Sequence, residues 1–120
     1  MTHLHVNKLE DYIDYQDDMV NKIHLIETPK SDIKLVALKK HQNLPPHKSE
    51  HETMLYVVEG EILFTITKDA EIGNCSDGHC DFEGKKCEYK IKKGEFIRFA
   101  GCEEHSIHAE KDTKMLLVCL

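Results

Sequence analysis

Short runs of alternating apolar and polar residues, each closed by a cluster of turn formers, recur along this 120-residue chain. A chain patterned in this way buries its apolar side chains as strands, because only a period of two puts them on one face. Residues 22–26 form the first such run and end at Thr28-Pro29-Lys30-Ser31-Asp32. Residues 33–38 form the second and stop ahead of Pro45-Pro46, since proline cannot donate to a ladder. A run over 47–58 meets Glu59-Gly60, and 61–67 follows. Residues 87–91 lead to the turn Lys92-Lys93-Gly94, and 96–99, 105–108 and 114–120 close the chain. Seven to nine short strands and no long helical period predict an all-β sandwich or barrel.

Residues 1–21 are polar and acidic with no strong period, and are expected to form an N-terminal arm ahead of one domain over 22–120. The arm offers Leu4, Val6, Leu9, Tyr12, Ile13 and Tyr15 to a neighbour, which favours a homodimer that covers its sheet edges. A chain of this length supports one core. Sixteen basic residues against 22 acidic ones leave a net charge of −6, with the basic residues scattered. Nucleic acid is therefore not the expected partner, because a phosphate backbone needs a clustered positive patch. No apolar run is long enough to span a membrane, and the first residues lack a basic-then-apolar export pattern. Five cysteines in such a chain read as reduced thiols of a cytoplasmic protein.

Two segments about forty residues apart carry the chemistry. The first is His47-Lys-Ser-Glu-His51-Glu-Thr53 followed by Met54-Leu-Tyr-Val-Val58 and Glu59-Gly60-Glu61; the second runs from Gly94 through Phe99 and Cys102 to His105. With Leu55 and Val57 inward, alternation turns Thr53, His51, Ser49 and His47 inward as well, and Glu52, Met54 and Tyr56 outward. With Ile107 inward, His105 is inward and His108 outward. His47, His51 and His105 are thus nominated to converge in one pocket. Neutral imidazole ligates zinc, nickel, copper or iron, and three on rigid strands leave a coordination position open. Beside this stands the plainer reading of strand-end histidines as ordinary polar residues.

The two segments resemble the signature motifs of the cupin superfamily. In register with the family pattern, His47 fits the first histidine, Gly60 the glycine, and Gly94 and His105 the second motif. Ser49 stands where the family has its second histidine, Thr53 where it has glutamate, and Ala100 and Cys102 where it has proline and glycine. The resemblance implies a double-stranded β-helix (jelly-roll barrel) and one divalent transition metal (Zn, Ni, Fe, Mn or Cu) beside a small-molecule ligand or substrate. Metal-dependent dioxygenation, isomerisation and decarboxylation are the reactions the family implies, with no one of them selected. A non-catalytic binding or sensing barrel with a degenerate metal site is the alternative.

The polar stretch between residues 67 and 87 holds Cys75, His79 and Cys80, with Cys87 at its end. These four make a possible second metal site, since thiolate and imidazole are the zinc donor set, although Cys-x4-Cys-x6-Cys matches no standard zinc module. Inert thiols or a disulfide are the alternatives. Residues 70–86, with glycines at 73, 78 and 84, are expected to form a metal-free flap over the pocket.

Overall fold

A computed structural model describes residues 6–48, 52–67, 79–81, 86–99 and 104–120, with residues 45–48, 67, 79–81 and 86 described by their backbone. Ten strands are seen among them: β1 (Asn21–Glu27), β2 (Asp32–Leu38), β3 (Asn43–Lys48), β4 (Thr53–Glu59), β5 (Glu61–Thr67), β6 (His79–Asp81), β7 (Lys86–Lys92), β8 (Phe96–Phe99), β9 (Glu104–Ala109) and β10 (Thr113–Cys119). They form two five-stranded antiparallel sheets, β1-β2-β10-β4-β8 and β3-β9-β5-β7-β6. The all-β, two-sheet expectation holds. No helix among the described residues is long and apolar enough to cross a membrane.

The core lies between the sheets and follows the alternation. Val36 and Leu38, Leu55 and Val57, Met115 and Leu117, and Phe99 come from one sheet; Leu44, Ile62, Phe64, Ile66, Ile91, Ile107 and Ala109 come from the other. β4 shows the period directly, with Thr53, Leu55 and Val57 buried and Met54 and Tyr56 half-buried on the other side.

The run read as one strand over 47–58 is divided between the sheets. β3 pairs with β9 in one sheet, whereas β4 pairs with β10 and β8 in the other. Alternation is a local property and carries no mark of the point where a chain leaves one sheet for another.

One end of the barrel is closed by backbone hydrogen bonds between its corners. Gly60 turns the chain from β4 into β5 with φ +92, a left-handed conformation. A Cβ there would lie 2.3 Å from the Asp112 carbonyl oxygen. Thr113, fully buried, accepts the Glu61 N–H at 3.1 Å and donates to the Lys111 carbonyl at 2.8 Å. Glu110 N donates to the Glu61 carbonyl, and His41 N to that of Ala109. Gly94 supplies the second left-handed glycine, φ +85, in the turn from β7 to β8, with open space around it.

The arm is not held in reserve for a neighbour over its whole length. After a 3-10 turn at Leu9–Asp11, Ile13 packs on the outer face of this chain's own first sheet, with Leu35 and Ala37 beneath it and Leu9, Tyr15, Ile23, Leu25 and Leu116 around it. β2 is consequently buried on both faces, and its last four residues show no alternation. Tyr15 donates to Glu59 Oε2 at 2.5 Å, and its ring sits 4.9 Å from the Lys114 ammonium, which donates to the Glu10 carbonyl. Val6 and Tyr12 remain exposed, and Leu4 lies outside the described residues.

Two predictions follow from these contacts. Gly60→Ala should cost about 2–4 kcal/mol, from left-handed strain plus backbone overlap, whereas Gly94→Ala should cost about 1 kcal/mol from strain alone. Urea unfolding midpoints compare them; equal losses would contradict the close approach at Gly60. Burial, then the hydrogen bond to Glu59 and its charge, raise the Tyr15 phenol well above its ordinary value. A raised folded value means that the folded state holds the phenolic proton more tightly. The associated stability is therefore present below the unfolded value, about pH 10, and is lost as pH climbs toward the folded one. Tyr15→Phe should cost about 1–2 kcal/mol at neutral pH, and the difference from wild type should shrink above pH 10. A difference that stays constant with pH would sink this assignment.

Candidate functional site

The end opposite the corners carries His47 and His105. His105 lies on β9, a strand whose burial alternates from exposed Glu104 to buried His105, Ile107 and Ala109. Its side chain is 4% exposed and enclosed by aromatic rings. Phe99 is 4.6 Å from it, centroid to centroid and tilted by 59°; Phe64 is 5.7 Å away and nearly parallel, at 20°. Phe64 and Phe99 also touch each other at 4.9 Å, so that the three rings form one cluster spanning both sheets. Rings packed in this way restrict the imidazole to a narrow range of orientations.

His47 is directly opposite His105 in the β3–β9 ladder. This placement depends on an irregularity. Leu44 is opposite Ile107 and His47 opposite His105, so β3 spends one residue more than β9 over that interval. The extra residue falls at Pro45-Pro46, where a bulge suits residues without an N–H. In an unbroken pleat, positions 44 and 47 would alternate to opposite faces. With the bulge, Leu44, which is buried, and His47 occupy register positions opposite inward residues of β9.

The other nominated residues divide three ways. His51 lies outside the described residues, as do Ser49, Ala100 and Cys102. Thr53, at the position where the family resemblance calls for glutamate, is 5% exposed and opposite Phe99, next to the ring cluster. Glu52 is exposed, its carbonyl accepting the Leu120 N–H. His108 faces outward as expected, with its ring nitrogen bonded to Asn43 and its ring 6.0 Å from His41.

The cysteine-bearing stretch leaves and returns at this same end. Thr67, the last residue of β5, is opposite both Lys86 and Glu104. Within the stretch, His79 and Cys80 lie on β6, which pairs with β7; Cys75 and the rest of 70–78 and 82–85 fall outside the described residues. Cys87 is fully buried and disulfide-bonded, so its sulfur is not a thiolate here. The reading of all five cysteines as reduced thiols is corrected at this residue, while Cys119 is a free thiol. Cys87 is buried on the inward face of β7, a position that the spacing of cysteines along the sequence does not reveal.

Sequence reasoning missed a second polar group on the hairpin of β1 and β2. Ligand atoms of His24, Glu27 and Asp32 lie within 4.8 Å of one another. His24 Nδ1 is 2.8 Å from Asp32 Oδ1 and 3.6 Å from Glu27 Oε2, and Lys34 Nζ is 3.9 Å from Asp32 Oδ2. The cluster is largely exposed, and the lysine already supplies its cation. Its signal in the sequence was weak, since the residues meet only when the hairpin pairs. A groove of about 520 Å³ opens elsewhere, on the flank between β1 and β3, lined by Met19, Val20, Lys22, Asn43 and Leu44 among others.

Comparison with known structures places this geometry. A cupin superfamily protein from Desulfitobacterium hafniense superposes with a TM-score of 0.78 at 13% identity, over 100% of this chain and 94% of that one. The fold is that of a cupin. An RmlC-like cupin from Desulfovibrio desulfuricans matches with a TM-score of 0.71 at 20% identity, over 98% and 96% of the two chains. A conserved protein of unknown function from Streptococcus pyogenes matches with a TM-score of 0.78 at 20% identity, over 100% and 90%. No protein-family model and no curated protein matches the chain. In this barrel the ring cluster around His105 lies away from the bonded corners.

Proposed function

We propose that this cupin binds one divalent transition metal and a small oxygen-bearing molecule in the barrel mouth. The observation that carries the reading is His105, turned into the barrel and fixed by Phe64 and Phe99, with His47 opposite it in register. The donor set fits such a metal. Imidazoles are neutral donors of borderline softness, suited to zinc, nickel, copper or iron and unsuited to magnesium or calcium, which take oxygen ligands. His47, His51 and His105 would hold it. A metal so held supplies Lewis acidity toward an oxygen atom of the ligand. The chain's own part is to orient His105, to exclude water with two phenylalanine rings, and to present the Thr53 hydroxyl at the pocket wall as donor or acceptor.

A second reading is favoured by one residue. Thr53 occupies the position where the resembled motif carries a carboxylate, and a hydroxyl is a much poorer ligand than a carboxylate. A barrel that binds a small molecule without turning it over fits that substitution. The protein is read further as cytoplasmic and as a homodimer, with β1 and β8 the exposed edges of the first sheet and Ile26 and Phe96 exposed upon them.

Metal analysis of untagged protein should give about one equivalent per chain after equilibration with zinc or nickel, with His105→Ala weakening affinity at least tenfold. Absence of stoichiometric metal in wild type would end the metal reading and leave the binding module. Thr53→Glu should tighten zinc at least tenfold while lowering the stability of the metal-free protein, because a buried carboxylate then lacks a partner. Unchanged affinity in that variant would show that residue 53 does not border the metal.

A further inference from the structure

A single lateral row crosses the second sheet. His47 is opposite His105, His105 opposite Ile66, Ile66 opposite Cys87, and Cys87 opposite Cys80. Cys87 is fully buried and its sulfur is in a disulfide. With Cys119 free, the partner is Cys75, Cys80 or Cys102. Residues directly opposite in an antiparallel pair have Cα atoms about 4.5–5.5 Å apart, within the span of about 4.4–6.8 Å that a disulfide bridges. Cys80 is the cysteine held in that position by the β6–β7 ladder.

The two strands differ in how they are held. β7 lies inside the sheet between β5 and β6, whereas β6 ends the strand order and, among the described residues, has β7 as its ladder neighbour. An edge strand is laddered on one side and opens more readily than an inner strand unless something fastens it. We propose that Cys80 and Cys87 form a reversible cross-strand disulfide. It is a site of thiol–disulfide exchange that fastens β6 to the barrel wall when oxidised and releases it when reduced.

The partner in the exchange is a dithiol, small or protein-borne. Its thiolate attacks the sulfur of Cys80, since Cys87 is sealed inside. The Cys80–Cys87 bond breaks, Cys87 leaves as thiolate and takes up a proton, and a mixed disulfide forms on Cys80. The second thiol of the reductant attacks that bond, Cys80 is released as a thiol, and the reductant departs as its own disulfide, two electrons having passed. Oxidation runs the same steps backwards against a low-molecular-weight disulfide. The barrel accommodates both states, because a buried Cys87 thiol packs as a small apolar group beside Ile66.

The test uses the full chain. After equilibration with oxidised glutathione, alkylation and digestion without reductant, mass spectrometry should find a Cys80–Cys87 link. A link from Cys87 to Cys75 or Cys102, or no link at all, overturns the proposal. On reduction with dithiothreitol in the absence of denaturant, amides of 79–81 should exchange with deuterium at least tenfold faster. Those of 113–119 should be unchanged, and oxidised glutathione should restore the slow rate. Cys80→Ser should exchange fast from the outset and ignore dithiothreitol. Equal exchange in the two redox states, a bond that resists dithiothreitol, or a Cys80→Ser protein that still responds would each overturn the switch.

Discussion

The corner where Gly60 passes beneath Asp112 and Thr113 sets the phase of the barrel. The chain changes sheets there in a conformation that requires glycine, with no room for a side chain, while the Thr113 hydroxyl holds the start of β5. Alternation counts outward from that point in both directions. Val57, Leu55 and Thr53 are inward on β4, and Ile62, Phe64 and Ile66 are inward on β5. A slip of one residue would turn every one of them to the other face. Because β9 pairs with β5, the inward position of His105 depends on the same phase.

The two ends of the barrel differ in what holds them. Corner residues 39–42, 59–61, 92–95 and 109–113 bond to each other through backbone groups and give a stiff base. Histidine, threonine and the aromatic ring cluster gather toward the other end, where longer connections begin and finish. A rigid base that positions side chains at the opposite end is the arrangement that the proposed binding site would use. The arm adds to the base in a different way. By covering the outer face of β2 with Ile13, and by joining Tyr15 to Glu59, it binds the first sheet from outside.

A single row of the second sheet brings together residues of quite different chemistry. Two histidines stand at one margin and two cysteines at the other, with Ile66 between them. Cα atoms two strands apart are about 10 Å from each other, so the disulfide-bonded Cys87 is a near neighbour of the ring cluster and not a distant surface feature. Any change in the attachment of β6 is therefore made close to the ring cluster.

The sequence alone determined most of the strands, though not β3 across Pro45-Pro46 or β6 within the polar stretch, and which residues of β4 and β9 face inward. Those properties are local, because a period of two and a left-handed glycine are written in neighbouring residues. It also determined the family whose fold the chain adopts, since two motifs agree in order and distance. Tertiary structure decided the rest. The 47–58 run is split between sheets, and the bulge at Pro45-Pro46 sets His47 opposite His105, 58 positions away along the chain. The arm packs on its own sheet, and His24, Glu27 and Asp32 meet across a hairpin. Cys87 is buried and oxidised opposite Cys80. Each of these depends on which strand lies beside which, and pairing between distant strands is settled by the burial of the whole core rather than by any short stretch of residues.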